Sequence, residues 1–249
     1  MMNHGTLTQF LNPRILHKKP HTNLSTNPKL HKTTLFSTAH KVVINLQQQI
    51  TIVKETEVSK MKDVINVKLK TLGGCKLGIS RYPDFEYDAQ GGSGIGKATP
   101  ALLSDVNGEV FVDFDVDSLY IPAVSTATTK FLGLPLPPFL NIDIVPEMLS
   151  GKINTETGQV DLRLKGKFYF SMGSIYRAAP LVVDTVLTSE EARGDMRGGR
   201  GVRLNEQGSC TLVGVARVDP IADFFMDSFL GLPSECLASM RATISFENT

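Results

Sequence analysis

The sequence has no tryptophan, three cysteines in 249 residues, and no histidine beyond His40. Each shortage removes a class of explanation. All five histidines, His4, His17, His21, His31 and His40, lie near the N-terminus. A mature body starting near residue 59 therefore holds no imidazole, which excludes Ser-His or Cys-His nucleophile activation, a histidine general base and a histidine-bound metal from it. Cys75, Cys210 and Cys236 are an odd set without CxxC spacing. They argue against a disulfide framework or a structural zinc site and for buried free thiols. No run of eighteen apolar residues occurs, so no helix is expected to span a bilayer, while peripheral attachment stays compatible with the composition.

Acidic residues are missing from Met1 to Lys54, where lysine, serine and threonine recur, Arg14 is the one arginine, and Pro13, Pro20 and Pro28 break any helix. Such a segment cannot bury enough apolar surface to order itself. It lacks the continuous apolar stretch of a secretory signal and the arginine-rich amphipathic helix of a mitochondrial presequence. It resembles a plant chloroplast transit peptide, with the mitochondrion as the alternative address. The resemblance implies a leader over 1–58, processed between Ser37 and Ser59, and a single domain over 59–249. Residues 42–53 already read as strand-like. Up to residue 60 there are 8 Lys+Arg against 2 Asp+Glu, leaving 18 against 23 for the rest, a net charge of −5. That balance gives no electrostatic ground for binding nucleic acid.

Period-two alternation dominates beyond residue 108. Over 109–118, Val110, Val112, Phe114 and Val116 share one face, and Phe111, Asp113, Asp115 and Asp117 the other. Over 159–170, Val160, Leu162, Leu164, Phe168 and Phe170 oppose Asp161, Arg163, Lys165 and Lys167. The turn residues Asn154 to Gly158 make 151–170 a hairpin. Further strands are expected at 142–145, 181–188 and 209–218. Half-buried antiparallel strands joined by short turns predict a mainly β fold, an antiparallel β-sandwich or a partly closed β-barrel.

An internal repeat is visible as well. Phe131-Leu-Gly-Leu-Pro135 recurs as Phe229-Leu-Gly-Leu-Pro233, and the same offset of 98 residues carries Pro122 onto Pro220. Upstream, Val112, Phe114 and Tyr120 fall on Cys210, Leu212 and Val218. Two related strand-helix-strand units follow, over about 108–146 and 206–244, each with proline opening a short helix and glycine near its C-cap. The second helix carries Ile221, Phe224, Phe225, Ser228, Phe229 and Leu232 at helical spacing. The first, over 123–132, has only Val124, Ala127 and Phe131, and its Ser/Thr content lowers helix propensity. Aromatic stripes of this kind usually face a core; the alternatives are a lid over a lipid cavity or a face dipping into a membrane.

Three chemical motifs dissolve on inspection. Gly91-Gly-Ser-Gly-Ile-Gly-Lys97 approaches a phosphate-binding loop, but Ala98 stands where Ser or Thr must hold magnesium, and Pro100 interrupts the required helix; a glycine loop is expected. Arg193-Gly-Asp-Met-Arg-Gly-Gly-Arg-Gly201 is diluted by neighbouring acids and reads as a solvated loop, with contact to an anionic headgroup or a partner as its functional alternative. Asp113, Asp115 and Asp117 diverge along one strand and read as an exposed acidic face.

The expected function is therefore that of a non-catalytic plastid protein, without a cofactor or metal, that binds an apolar ligand (lipid, isoprenoid or pigment) or a membrane surface. Phe131, Leu134, Phe224, Phe225, Phe229 and Leu232 are the expected contact residues. The alternatives are an assembly or scaffold factor for a thylakoid protein complex and an enzyme of unassigned class.

Overall fold

The protein's computed structural model describes residues 43, 45–49, 65–79, 82–100 and 108–247. The chain divides into two units, Met1–Lys54 and Glu55–Thr249. Most of the expected leader and its processing region lie outside the described residues. Residues 43 and 45–49 are helical rather than strand-like; Leu46 and the three glutamines after it favour a helix, and alternation alone makes no strand without a neighbour to pair with.

The second unit is mostly antiparallel β-structure. β1 (Ile65–Thr71) leads to the short β2 (Cys75–Ile79) and β3 (Phe85–Tyr87), then to β4 (Ser93–Pro100) and β5 (Glu109–Phe114). β6 (Val124–Ser125), β7 (Thr129–Phe131) and β8 (Leu134–Pro135) precede the long β9 (Leu140–Asn154) and β10 (Val160–Met172). After these come β11 (Tyr176–Arg177), β12 (Leu181–Thr188), the hairpin of β13 (Glu191–Arg193) and β14 (Gly198–Arg200), and β15 (Ser209–Val218). The helix Phe224–Leu230 separates β15 from β16 (Ser234–Glu247). β1, β4, β5, β9, β10, β12, β15 and β16 pair in that order, and β16 pairs back onto β1. Eight strands thus close a barrel-like ring, with β2, β3, β7 and β8 as a flap hydrogen-bonded to β16 through β2.

The alternation read from the sequence decides which side chains enter the ring. Every ring strand sends at least one into a common core: Val67, Ala98, Val112, Ile153, Leu162, Leu187, Leu212 and Ile244 are all buried there. An eight-stranded ring is about wide enough for side chains to fill. Of the glycine-rich segment only Gly91 and Gly92 lie in a turn; from Ser93 it is strand β4 rather than a loop. Two of its inward positions, ahead of Ala98, are Gly94 and Gly96, where a Cβ would come within 2.5 Å of Leu119 Cδ2 and 2.6 Å of the Asp113 carbonyl oxygen. Glycine serves close packing here, so the phosphate-loop resemblance has no structural basis.

The 151–170 hairpin forms as expected. Asn154 Oδ1 accepts the backbone N–H groups of Glu156 and Thr157, and Gly158 takes φ 72° to close the turn. The first arm starts eleven residues before the expected limit, at Leu140, and the second ends two residues past it, at Met172, because β9 and β10 stay paired from Val160–Ile153 to Met172–Leu140 across a bulge at Glu147. The expected strand over 109–118 instead ends at Phe114. Asp115 caps a 3-10 turn, Val116–Ser118, so the aspartates do not form a ladder on one strand.

The repeat survives as topology and fails as secondary structure. β5 and β15 stand four places apart in the ring of eight, and each is followed by one FLGLP copy and then by its own hydrogen-bonded neighbour, β9 or β16. The second copy ends a helix, but that helix starts at Phe224 with Asp223 as N-cap, not at Pro220. The expected helix over 123–132 is absent: the segment forms β6, a turn and β7. Thr128 Oγ1 donates to the Ala123 carbonyl and accepts the Ser125 N–H, a local arrangement that competes with helix formation.

Candidate functional site

The two FLGLP copies meet at one end of the ring. This end is marked by the paired termini Leu140–Met172 and Val218–Ser234. The helix closes it: Met226 is fully buried against Phe170, Ala216 and Val218, with Leu230 and Leu232 packed behind. Asp223 Oδ1 accepts the Met226 N–H, and the Tyr176 hydroxyl donates to Asp223 Oδ2 at 2.6 Å. That hydrogen bond helps keep the Asp223 carboxyl below its ordinary range, while burial first and Asp223 second push the Tyr176 phenol up to about 12. Gly231, in the left-handed region at φ 65°, ends the helix as the repeat implied.

Met226 is the side chain the helix buries, and the aromatic stripe faces outward. Phe225 and Phe229 stack with ring centres 5.7 Å apart. Phe225 meets Tyr176 at 5.1 Å, and Phe229 meets Tyr82 at 5.8 Å. Tyr82 then reaches Phe131 of the first copy at 6.2 Å, and Phe131 stacks on Phe85. Tyr82 Oη also donates to the Phe229 carbonyl. One aromatic ribbon therefore joins the two copies through Tyr82.

Above this ribbon stand large apolar side chains in water. Ile175, in the turn between β10 and β11, is 94% exposed, and Phe224 is 88% exposed. Leu132 and Leu134, around the β7–β8 turn, are 70% and 71% exposed. Phe139 is exposed beside the β10–β11 turn, where its carbonyl accepts the Gly173 N–H. Leu132 carries a second penalty. With Gly133 it forms a two-residue hairpin turn in which both residues have positive φ, 51° and 80°. Asparagine is the usual occupant of such a position, and a leucine there costs about 1–2 kcal/mol.

Of the expected contact residues, Phe131, Leu134, Phe224, Phe225 and Phe229 belong to this rim, whereas Leu232 packs in the core beneath it. The expected contact residues do not include Leu132 and Phe139, which lie in or just after the first FLGLP copy, nor Ile175 and Tyr82. Ile175 had a readable signal, a large apolar residue inside a Gly-Ser turn. Tyr82 had none, because its role depends on two segments far away in the chain.

The arginine-glycine stretch is an anchored hairpin rather than a loose loop. Glu235 accepts the backbone N–H groups of Asp195, Met196 and Arg197 at 2.7–2.9 Å. Arg197 pairs with Asp84 at 2.6 Å and donates to the Ile79 and Tyr82 carbonyls. Arg203 pairs with Glu190, and Arg193 with Glu191. The clefts beside this hairpin are polar; one of about 570 Å³ is lined by Asp161, Asp184 and Glu191 among others.

Comparison with known proteins returns no family model, no curated protein and no solved structure that matches this chain. Among the described residues no helix is long and apolar enough to cross a membrane.

Proposed function

We propose that the protein is a peripheral lipid-surface binding protein whose capped, apolar end dips into the interfacial layer of a membrane. The observation that carries this reading is Leu132, a leucine held at positive φ and left mostly in water. Strain retained at an exposed position points to a function for the side chain itself. The shape supports a surface rather than a cavity ligand. The exposed apolar residues are spread over separate elements, chiefly the β7–β8 turn, the β10–β11 turn and the helix, while the ring interior beneath is filled by its own side chains.

Magnitudes fit reversible attachment. Leu132, Leu134, Ile175 and Phe224 would each contribute about 1–2 kcal/mol on leaving water. Together that is roughly 4–8 kcal/mol, which corresponds to millimolar to micromolar affinity before the loss of motional freedom is charged against it. The leader's composition supports the plastid as the place where such a surface would be met.

The test is co-sedimentation of the full chain with phosphatidylcholine vesicles, with Ile175→Ser/Phe224→Ser as the paired variant. Both side chains are exposed, so the variant should keep its thermal midpoint and lose at least about tenfold in vesicle affinity, as two lost apolar anchors imply. Equal binding by the two proteins would sink the proposal. So would a rim-dependent dimer or protein complex with no vesicle binding, which would make this end a protein contact instead.

A further inference from the structure

The charges around the rim narrow the kind of lipid surface it can meet, and the inference rests on the surface reading above. Among the described residues, the segments that build this end (82–86, 129–143, 173–177 and 217–235, with the hairpin 191–200 held on Glu235) hold six cations, Lys130, Arg177, Arg193, Arg197, Arg200 and Arg217, against nine acids. Arg197, which reaches into the same end, is already paired with Asp84. Two of the acids cannot move away. Asp223 is fixed as the helix N-cap between the Met226 N–H and the Tyr176 hydroxyl. Asp227 Oδ1 accepts the Ile221 N–H at 3.0 Å. Asp223 caps and Asp227 lies within the helix that exposes Phe224, Phe225 and Phe229; both are half-buried beside those rings, so seating the rings in a bilayer brings both carboxylates close to the headgroup layer.

We infer that the rim selects an electrically neutral lipid surface and is repelled by an anionic one. Peripheral proteins that dock on anionic leaflets gain about 1 kcal/mol for each Lys or Arg near the surface. Here the fixed groups have the opposite sign. Two such carboxylates imply a rim-dependent affinity at least about tenfold weaker for an anionic surface at low salt. Added salt should narrow that difference, because exposed charges are screened over about 10 Å at 0.1 M.

The leader is basic and would bind anionic vesicles by itself, so the measurement is a difference. The full chain and its Ile175→Ser/Phe224→Ser variant are each titrated with vesicles of phosphatidylcholine alone and with vesicles in which part of it is replaced by phosphatidylglycerol. The leader's contribution is common to both proteins and cancels in the comparison. The expected result is a rim-dependent gain on neutral vesicles that added sodium chloride leaves unchanged, and a gain at least about tenfold smaller on anionic vesicles that grows with salt. In the full chain, Asp227→Asn, which keeps the oxygen that accepts the Ile221 N–H, should raise the rim-dependent gain on anionic vesicles and leave neutral ones unaffected. A rim-dependent gain that is larger on anionic vesicles and falls with salt would overturn the inference and leave the surface reading standing. No rim-dependent gain on either vesicle would overturn the surface reading itself.

Discussion

Leu132 separates stability from function at a single position. Its positive φ favours asparagine or glycine, and its side chain makes the turn's apolar tip. Leu132→Asn should therefore raise stability by about 1 kcal/mol, seen as a higher urea midpoint, while weakening vesicle binding. A stabilised variant with undiminished binding would mean that the strain has no functional purpose. The cysteines illustrate the opposite kind of residue. Burial holds the Cys210 and Cys236 thiols at about 11 and pushes the Cys75 thiol up as well, so none is poised as a thiolate near neutral pH.

Attachment of the helix depends on a few contacts, because seven residues are too few to be helical by propensity alone. Met226 supplies the apolar anchor, and the Tyr176–Asp223 hydrogen bond supplies the polar one. Tyr176→Phe should lower the urea midpoint at neutral pH, since Asp223 loses a donor. The pH dependence has a definite sign. The phenol's folded value, about 12, lies above its ordinary 10, so its contribution is present below pH 10 and is lost as pH rises between those values. Asp223 is depressed in the folded state, so its contribution is present above the ordinary carboxylate range and lost as pH falls below it. Urea midpoints measured across both ranges should flatten at the alkaline side in Tyr176→Phe. An unchanged alkaline profile would show that the hydrogen bond does not hold the helix. The FLGLP copies teach the complementary lesson. Glycine takes positive φ in both, 80° and 65°, yet one copy closes a hairpin and the other a helix. Five identical residues fix the glycine's conformation, and their neighbours choose the element.

Across the whole molecule, cooperativity should be weakest where the ring is least paired. Seven of the eight junctions have ladders of five or more register pairs, while β12 and β15 share only Thr188–Val213. The β13–β14 hairpin, held by Glu235, packs beside that seam. Native-state hydrogen exchange should show amides on the seam side of β12 and β15 opening at lower free energy than those of β9 and β10. Uniform protection around the ring would contradict this ranking.

The sequence by itself determined the β-rich class, the limits of β12 and β15, the inward and outward faces of the long strands, and the Asn154–Gly158 turn. All of these follow from local periodicity and turn chemistry, which act over a few residues. Five of the six contact residues expected from it, all but Leu232, lie at this end of the ring. Only the tertiary structure decided that the aromatic stripe faces solvent, that the 123–132 segment pairs as strand rather than coiling as helix, and that Tyr82 joins the two copies. Those outcomes depend on which surface each segment meets. Met226 could claim the core because Phe170, Ala216 and Val218 were already there, and that competition between distant segments leaves no local pattern in the chain.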